Sequence, residues 1–147
     1  MGLFMSALLM AMQLAKEFEG CKTHAYFDEY GKVFTVGYGC TGAEINEHTV
    51  WTQDQCEANL AERMQNALDH ALNLSPFLKH MSEGRQAAIA DFIYNLGMGA
   101  YSRSTLKLMV DNNNWDGAKK EILLWNKANG KVLDGLTRRR KAEANLI

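Results

Sequence analysis

The chain has 147 residues, of which 47% are hydrophobic, and a formal net charge of −1. This length is typical of one compact domain, and the hydrophobic fraction excludes an intrinsically disordered chain. The sequence holds a single proline and no Pro/Gly/Ser-rich linker, so it predicts one domain spanning residues 1–147.

The charge is distributed unevenly along the chain. Residues 1–70 hold four Lys/Arg against ten Asp/Glu, whereas residues 71–147 hold twelve against seven. The basic residues concentrate in one run at Arg138, Arg139, Arg140 and Lys141. Such a run is typical either of contact with an anionic partner or of a solvated helix face, and charge alone favours the helix face.

The cysteines are Cys21, Cys40 and Cys56. An odd number argues against a disulfide framework and fits a reducing compartment. Cys21, His24 and Cys40 are conceivable metal ligands, but no second close pair completes a four-ligand site, so we expect no metal.

The first 15 residues are uncharged and largely apolar. They are too short to span a bilayer and lack the basic start of a signal peptide, which leaves a weak signal-anchor as the minority interpretation. Apolar residues recur there at helical spacing and predict a first helix that ends near Glu19, with Gly20 as its stop. Residues 21–38 then predict a β-hairpin with its turn at Glu29, Tyr30 and Gly31.

A long helix follows the hairpin. Thr52 and Gln55 form a capping-box pattern, and the apolar residues that follow predict about 22 helical residues, roughly 33 Å in length. Shorter helices are expected near Pro76, after Ser82, Ser104 and Asn114, and finally over Leu136–Leu146, with a loop between Gly130 and Gly135. The sum is an α+β fold: a β-containing lobe at about 15–51 and a helical lobe at about 52–147, joined by the long helix.

Two acids, Glu19 and Asp28, lie on either side of the first predicted strand. Glu19 lies at a helix C-terminus, where the negative end of the helix dipole disfavours an ionised carboxylate, so we expect it to keep its proton and serve as a general acid. Asp28 lies in a wetter turn with backbone donors and should stay ionised. The hydroxyl of Thr35, on the return strand, could hold a water or contact a sugar. The alternatives are an acid that is merely solvated and an Asp that only satisfies its turn.

The segments "FEGCKTHAYFD" and "GKVFTVGYG" resemble the catalytic segment of phage-type lysozymes, the endolysin family of muramidases called glycoside hydrolase family 24. Glu19, Asp28 and Thr35 match that pattern in order. The later segments "RQAAIADFIYNLGMGAYSRSTL" and "WNKANGKVLDGLTRRRKAE" resemble the family's central helix and C-terminal signature. The resemblance covers nearly the whole chain from about Leu14, and it implies a lysozyme-like fold.

Two positions depart from the family pattern. Thr35 follows Asp28 by seven residues rather than six, which we attribute to a longer hairpin turn. Cys40 stands where the family's glycine run usually ends in His.

The resemblance implies hydrolysis of the β-1,4 bond between N-acetylmuramic acid and N-acetylglucosamine in peptidoglycan, without metal or cofactor. Glu19 would protonate the leaving oxygen, and Asp28 with Thr35 would assist the transition state and the water. A lytic transglycosylase is the alternative enzyme, which the presence of Asp28 disfavours. By resemblance, candidates for substrate contacts are Tyr94, Asn95, Arg103 and Ser104, although Ser104 could equally cap a helix and Asn95 could satisfy backbone.

The resemblance also implies a place and partners. A monomer would accumulate in the host cytoplasm, cross the membrane through a holin pore and act on peptidoglycan during host lysis. The basic run at 138–141 would either contact the anionic envelope weakly or pair with the acidic N-terminal lobe. It lacks a nucleic-acid-binding motif, so no nucleic acid partner is expected.

Overall fold

The computed structural model describes residues 5–147, so the first four residues of the apolar N-terminal stretch lie outside the described part. The elements within it are α1 (Ala7–Glu19), β1 (Lys22–Asp28), β2 (Val33–Gly37), α2 (Gln53–Leu74), a 3₁₀ helix (Pro76–His80), α3 (Glu83–Leu96), α4 (Met98–Ser102), α5 (Thr105–Asp111), α6 (Trp115–Ile122), β3 (Lys127–Ala128), β4 (Lys131–Val132) and α7 (Asp134–Ala144). β1 pairs with β2 and β3 with β4, both antiparallel. The fold is α+β and mostly helical, as the sequence predicts.

Local signals explain the first helix and its end. The Ser6 hydroxyl accepts the Leu9 N–H and caps the N-terminus of α1. Gly20 ends the helix with a φ of +66°, a left-handed conformation that favours glycine, and its N–H donates to the Lys16 carbonyl. The chain turns there directly into β1, so Glu19 is the last helical residue before the hairpin.

The long helix α2 organises the main core. Thr52 and Gln55 form the predicted capping box at its start. Its buried face includes Cys56, Leu60 and Met64, which belong to one cluster with residues of α1 and α3. A second, smaller cluster of Val36, Cys40 and Ile45 lies under the hairpin.

Two local predictions are wrong and one helix is missing from the prediction. The missing helix is the short α4, whose Gly99 is typical of a loop. Residues 127–132 form a two-stranded hairpin instead of a loop, with Asn129 and Gly130 in its turn at positive φ. α7 begins at Asp134 rather than Leu136, since an acid in the first turn complements the helix dipole and Gly135 is tolerated next to it.

Candidate active site

The register of the first hairpin places the predicted hairpin residues on one face. Asp28 pairs with Val33, and Tyr26 pairs with Thr35. Because alternate residues of a strand share a face and directly paired residues lie side by side, Tyr26, Asp28 and Thr35 face the same way. The extra residue between Asp28 and Thr35 lies in the turn that joins the strands and does not displace Thr35 from this face.

Glu19 has a cation as its closest charged neighbour. Arg139 Nη1 donates to Glu19 Oε2 at 2.8 Å, and the Glu19 side chain is 24% exposed. On the other side lies Gly39, whose backbone has a φ of +82°; a Cβ built there would be 3.0 Å from Glu19 Oε1. The carboxyl group is therefore held between α7 and the glycine run that follows β2.

Asp28 is bound by its own turn. Its Oδ1 accepts the Tyr30 N–H at 3.0 Å, and its backbone carbonyl accepts the Lys32 N–H at 2.6 Å. Its second oxygen would lie 3.3 Å from a Cβ at Gly31. The predicted backbone donor is present, and the half-buried carboxylate keeps acceptor capacity on its other oxygen.

Thr35 has a buried hydroxyl without a partner. The residue is 3% exposed, and Oγ1 makes no hydrogen bond. A buried hydroxyl without a partner costs free energy, and a hydrogen bond from a bound water or ligand would recover that cost.

A groove of about 480 Å³ runs past Glu19. Its lining includes Glu19, Asn95 and Arg139 together with Tyr30 of the hairpin turn. Tyr26 stands close by: partial burial raises the pKa of its phenol, and the carboxylates of Asp28 and Glu19 raise it further. Glu19, which lines the groove, and Asp28 therefore both lie near Tyr26.

Behind the groove lies a buried cluster of four charged side chains. Arg139 Nε and Nη2 donate to the two oxygens of Asp91 at 2.9 and 2.7 Å. Arg140 contacts Glu143, with Nε 2.7 Å from Oε1, and its Nη2 donates to Asn95 Oδ1 at 2.7 Å. Asp91, Arg140 and Glu143 have no exposed surface.

Burial and mutual contact set the charges of this cluster. Burial alone would raise the pKa of Asp91, but the Arg139 hydrogen bonds hold it below the ordinary value. Burial raises the pKa of Glu143 well above its usual range, and the adjacent Asp91 adds to this in spite of Arg140. Burial lowers the pKa of Arg140. Burial would also lower the pKa of Arg139, but contact with Asp91 and Glu19 holds it above its ordinary value.

The comparisons with known proteins agree on one family. The family model described as phage lysozyme matches residues 16–143. The chain belongs to the phage lysozyme family. It is 36% identical over 138 residues to an endolysin of Acyrthosiphon pisum secondary endosymbiont phage 1, covering 91% of this chain and 92% of that protein. It is 34% identical over 138 residues to an endolysin of Bacillus phage B103, covering 92% of this chain.

A solved structure gives the same fold. The muramidase domain of SpmX from Asticaccaulis excentricus superposes with a TM-score of 0.80 at 25% identity, covering 92% of each chain. The chain spans about half the length of two Bacillus phage endolysins that it matches, 51% of one and 52% of the other.

Of the other candidate contacts in this phage lysozyme-family chain, two are near Glu19 and two are not. Asn95 lines the Glu19 groove. The Tyr94 hydroxyl donates to the Tyr38 carbonyl and accepts a hydrogen bond from Arg63, so it stabilises the glycine run after β2. Burial raises the pKa of Tyr94 to about 12. Arg103 and Ser104 line a separate groove of about 210 Å³.

The separate roles of Ser104 and the basic run are also clear. Ser104 caps α5 by accepting the Lys107 N–H, the structural alternative that the sequence left open.

Of the run at 138–141, Arg139 and Arg140 are buried, so it is not a continuous solvated helix face. Pairing with the N-terminal acids is confirmed for Arg139, through Glu19. Cys40, at the family's His position, belongs to the smaller core cluster.

Sequence reasoning missed Asp91, Arg140 and Glu143. Asp91 stands inside the apolar run "AAIADFI" on the buried face of α3. An acid in such a position is almost never fully buried unless it is paired, and this was the available signal for a buried cationic partner.

Gly39→Ala is expected to lower the rate of cell-wall lysis by about tenfold or more, because the added Cβ displaces the Glu19 carboxyl group. Stability should also fall by about 1–2 kcal/mol, since alanine is strained at positive φ. Turbidity assays on cell walls and urea unfolding measure the two effects.

The matched control is Gly130→Ala. Gly130 has a similar φ of +77°, and a Cβ there has no neighbour within 4 Å. A similar loss of stability with full activity is expected. Equal activity losses in the two variants would contradict the role assigned to Gly39.

Glu143→Gln is expected to weaken the pH dependence of stability. The raised pKa of Glu143 means that the folded chain holds a proton which the unfolded chain releases around its ordinary value of 4.5. This stabilisation is complete below about pH 4.5 and is lost as pH rises towards the folded pKa, by up to about 1.4 kcal/mol per pH unit.

The measurement is the free energy of unfolding between pH 4 and 8. The wild-type chain should lose stability with rising pH more steeply than Glu143→Gln, while substitution of the exposed Glu62 by Gln should leave the slope unchanged. Parallel curves for wild type and Glu143→Gln would show that Glu143 does not titrate in this way.

Proposed function

We propose that this chain is an endolysin that hydrolyses the β-1,4 bond between N-acetylmuramic acid and N-acetylglucosamine in peptidoglycan, causing host lysis for phage release. The observation that carries the proposal is the position of Glu19 in a groove beside a hairpin face with Asp28 and an unpaired Thr35 hydroxyl. Membership of the phage lysozyme family supports it.

In the proposed reaction the three residues have separate roles. Protonated Glu19 donates to the glycosidic oxygen as the bond to C1 breaks. Asp28 stabilises the positive charge that develops on the sugar, and with Thr35 it positions the water that adds to C1. The ionised Asp28 accepts the proton that this water releases, and Glu19 regains a proton from solvent, so that protons balance over one cycle. The chemistry needs neither metal nor cofactor.

Mass spectrometry of digested peptidoglycan tests the reaction. Hydrolysis leaves N-acetylmuramic acid with a reducing end, and a water labelled with ¹⁸O is incorporated there. A lytic transglycosylase leaves 1,6-anhydro ends without label. Dominant anhydro ends would overturn the proposal in favour of that second enzyme.

Thr35→Val is expected to separate activity from stability. Valine has nearly the same shape, and the Thr35 hydroxyl has no partner to lose, so stability should be unchanged or slightly higher. If the hydroxyl holds the attacking water, kcat should fall by about tenfold or more. Thr35→Ser is the control that keeps the hydroxyl, and equal activity of both variants would exclude the water-holding role.

We also propose an oligomeric state, a place of action and a contact with the cell envelope. A monomer with two lobes, at about 15–51 and about 52–147, would act in the periplasm or cell wall after holin-dependent passage from the host cytoplasm. In residues 5–147 no helix has the length and apolar character needed to cross a membrane. Arg138 and Lys141, the exposed members of the basic run, would supply the weak attraction to the anionic envelope.

A further inference from the structure

One guanidinium group serves two carboxyl groups from different helices. Arg139 of α7 donates through Nε and Nη2 to Asp91 of α3, and through Nη1 to Glu19 of α1. The distances lie between 2.7 and 2.9 Å, and the arginine side chain is only 4% exposed. Asp91 and Glu19 are therefore linked through a single rigid, planar group.

We propose that Asp91 is a positioning residue for Glu19, acting through Arg139. The inference rests on the proposed function, in which Glu19 is the catalytic acid. A two-point contact fixes the plane of a guanidinium group. With the Nε edge held by Asp91, the remaining Nη1 donor is directed at Glu19 Oε2. Without Asp91, the arginine side chain would be free to turn about its long stem.

Asp91 also compensates the charge that Glu19 faces. Around Glu19 lie Arg139 from α7, Tyr26 from β1 and Tyr94 from α3, and Asp28 lies on the same strand beside Tyr26. Behind Arg139 lie Asp91 and the Arg140–Glu143 pair. Removing the negative charge of Asp91 leaves Arg139 as an uncompensated cation beside Glu19, which favours the ionised form that cannot act as an acid.

The competing explanation is that Asp91 only stabilises the fold. Glu143 provides the comparison, because it is an equally buried acid in the same cluster that contacts Arg140 and Asp91 but makes no hydrogen bond to Arg139, and glutamine keeps a neutral side chain of the same shape beside Asp91. A purely structural role would make Asp91→Asn and Glu143→Gln alike in everything except the size of their stability losses. A positioning role makes Asp91→Asn alone affect Glu19.

The experiment compares the wild-type chain, Asp91→Asn and Glu143→Gln at a temperature where all three are folded. The ¹³C signal of the Glu19 side-chain carboxyl is followed by NMR through a pH titration, and kcat and KM are measured on soluble peptidoglycan fragments from pH 4 to 9. In Asp91→Asn the Glu19 carboxyl signal should change at lower pH than in the wild-type chain, because an uncompensated Arg139 favours the ionised form. The fall of kcat on the alkaline side of its pH profile should also begin at lower pH. The maximal kcat should be about tenfold lower, with KM little changed. Glu143→Gln should leave the titration and the pH profile of kcat in place.

An unchanged Glu19 titration in folded Asp91→Asn, or an equal shift in Glu143→Gln, would overturn the proposal. If Asp91→Asn does not fold, Arg139→Lys replaces it: an ammonium keeps the charge but cannot hold Asp91 on two points while reaching Glu19. It should lower kcat by about tenfold, and a wild-type kcat would count against the proposal. A wild-type chain that leaves peptidoglycan intact contradicts the proposed function, whereas the NMR titration still decides the link between Asp91 and Glu19.

Discussion

Glu19→Gln is expected to reduce peptidoglycan hydrolysis by about 10²–10⁴-fold, because a glutamine amide cannot donate the proton that the leaving oxygen needs. The substitution keeps the shape of the side chain, and its amide oxygen can still accept from Arg139 Nη1. The fold should therefore survive. Turbidity assays on purified cell walls measure the loss, and thermal unfolding checks the fold.

Glu29→Gln is the matched control for this substitution. Glu29 is an exposed acid of the hairpin turn, next to Asp28 in sequence, and it takes no part in the proposed reaction. Its activity should stay within about twofold of wild type, as expected for a surface substitution. Retained activity in Glu19→Gln would mean that the acid has been assigned to the wrong residue.

Arg139→Met is expected to have the largest effect on stability, a loss of about 3–5 kcal/mol in the free energy of unfolding. Methionine roughly preserves the length of the side chain, so the loss arises mainly from charge. Asp91 would be left fully buried without its two hydrogen bonds, and Glu19 would lose its only charged donor among the described contacts. Urea unfolding at pH 7 measures the change.

The adjacent Arg138→Met serves as the control. Arg138 precedes Arg139 on the same helix but is exposed, so its loss should cost no more than about 0.5 kcal/mol. At acidic pH the difference in the free energy of unfolding between the wild-type chain and Arg139→Met should become smaller. The low pKa of Asp91 means that its contribution is present above pH 3.8 and is lost as pH falls through the folded value. A loss below 1 kcal/mol in Arg139→Met at pH 7 would contradict the energetic importance of the cluster.

Local features of this chain were predictable because their causes are local. The Gly20 stop, the capping box at Thr52 and the hairpin turn after Asp28 each depend on residues within a few positions of one another. The order and spacing of the motifs are also sufficient to indicate the phage lysozyme family. The small hairpin in which residues 127–128 pair with 131–132 is not predicted. Strands of two residues are too short to show the alternation of polar and apolar residues that identifies a strand.

The surroundings of Glu19 were not predictable in the same way. The sequence predicts only a helix end beside Glu19, whereas its charged partner, Arg139, lies 120 positions away. Asp91 and Arg139 are 48 positions apart, and only folding brings them together. The charge composition leaves pairing of the basic run with the N-terminal acids as one alternative, but it does not distinguish the buried arginines from the exposed ones.

The link between Glu19 and Arg139 has a consequence for the newly made chain. A ribosome releases the N-terminal helix and hairpin long before residues 134–144 are available to form the last helix. Until that helix docks, Glu19 and Asp91 both lack the guanidinium group that joins them. A nascent chain that ends before this helix therefore carries the hairpin residues of the site without the contact that holds Glu19, and the site is completed only once residues 134–144 have been made and docked.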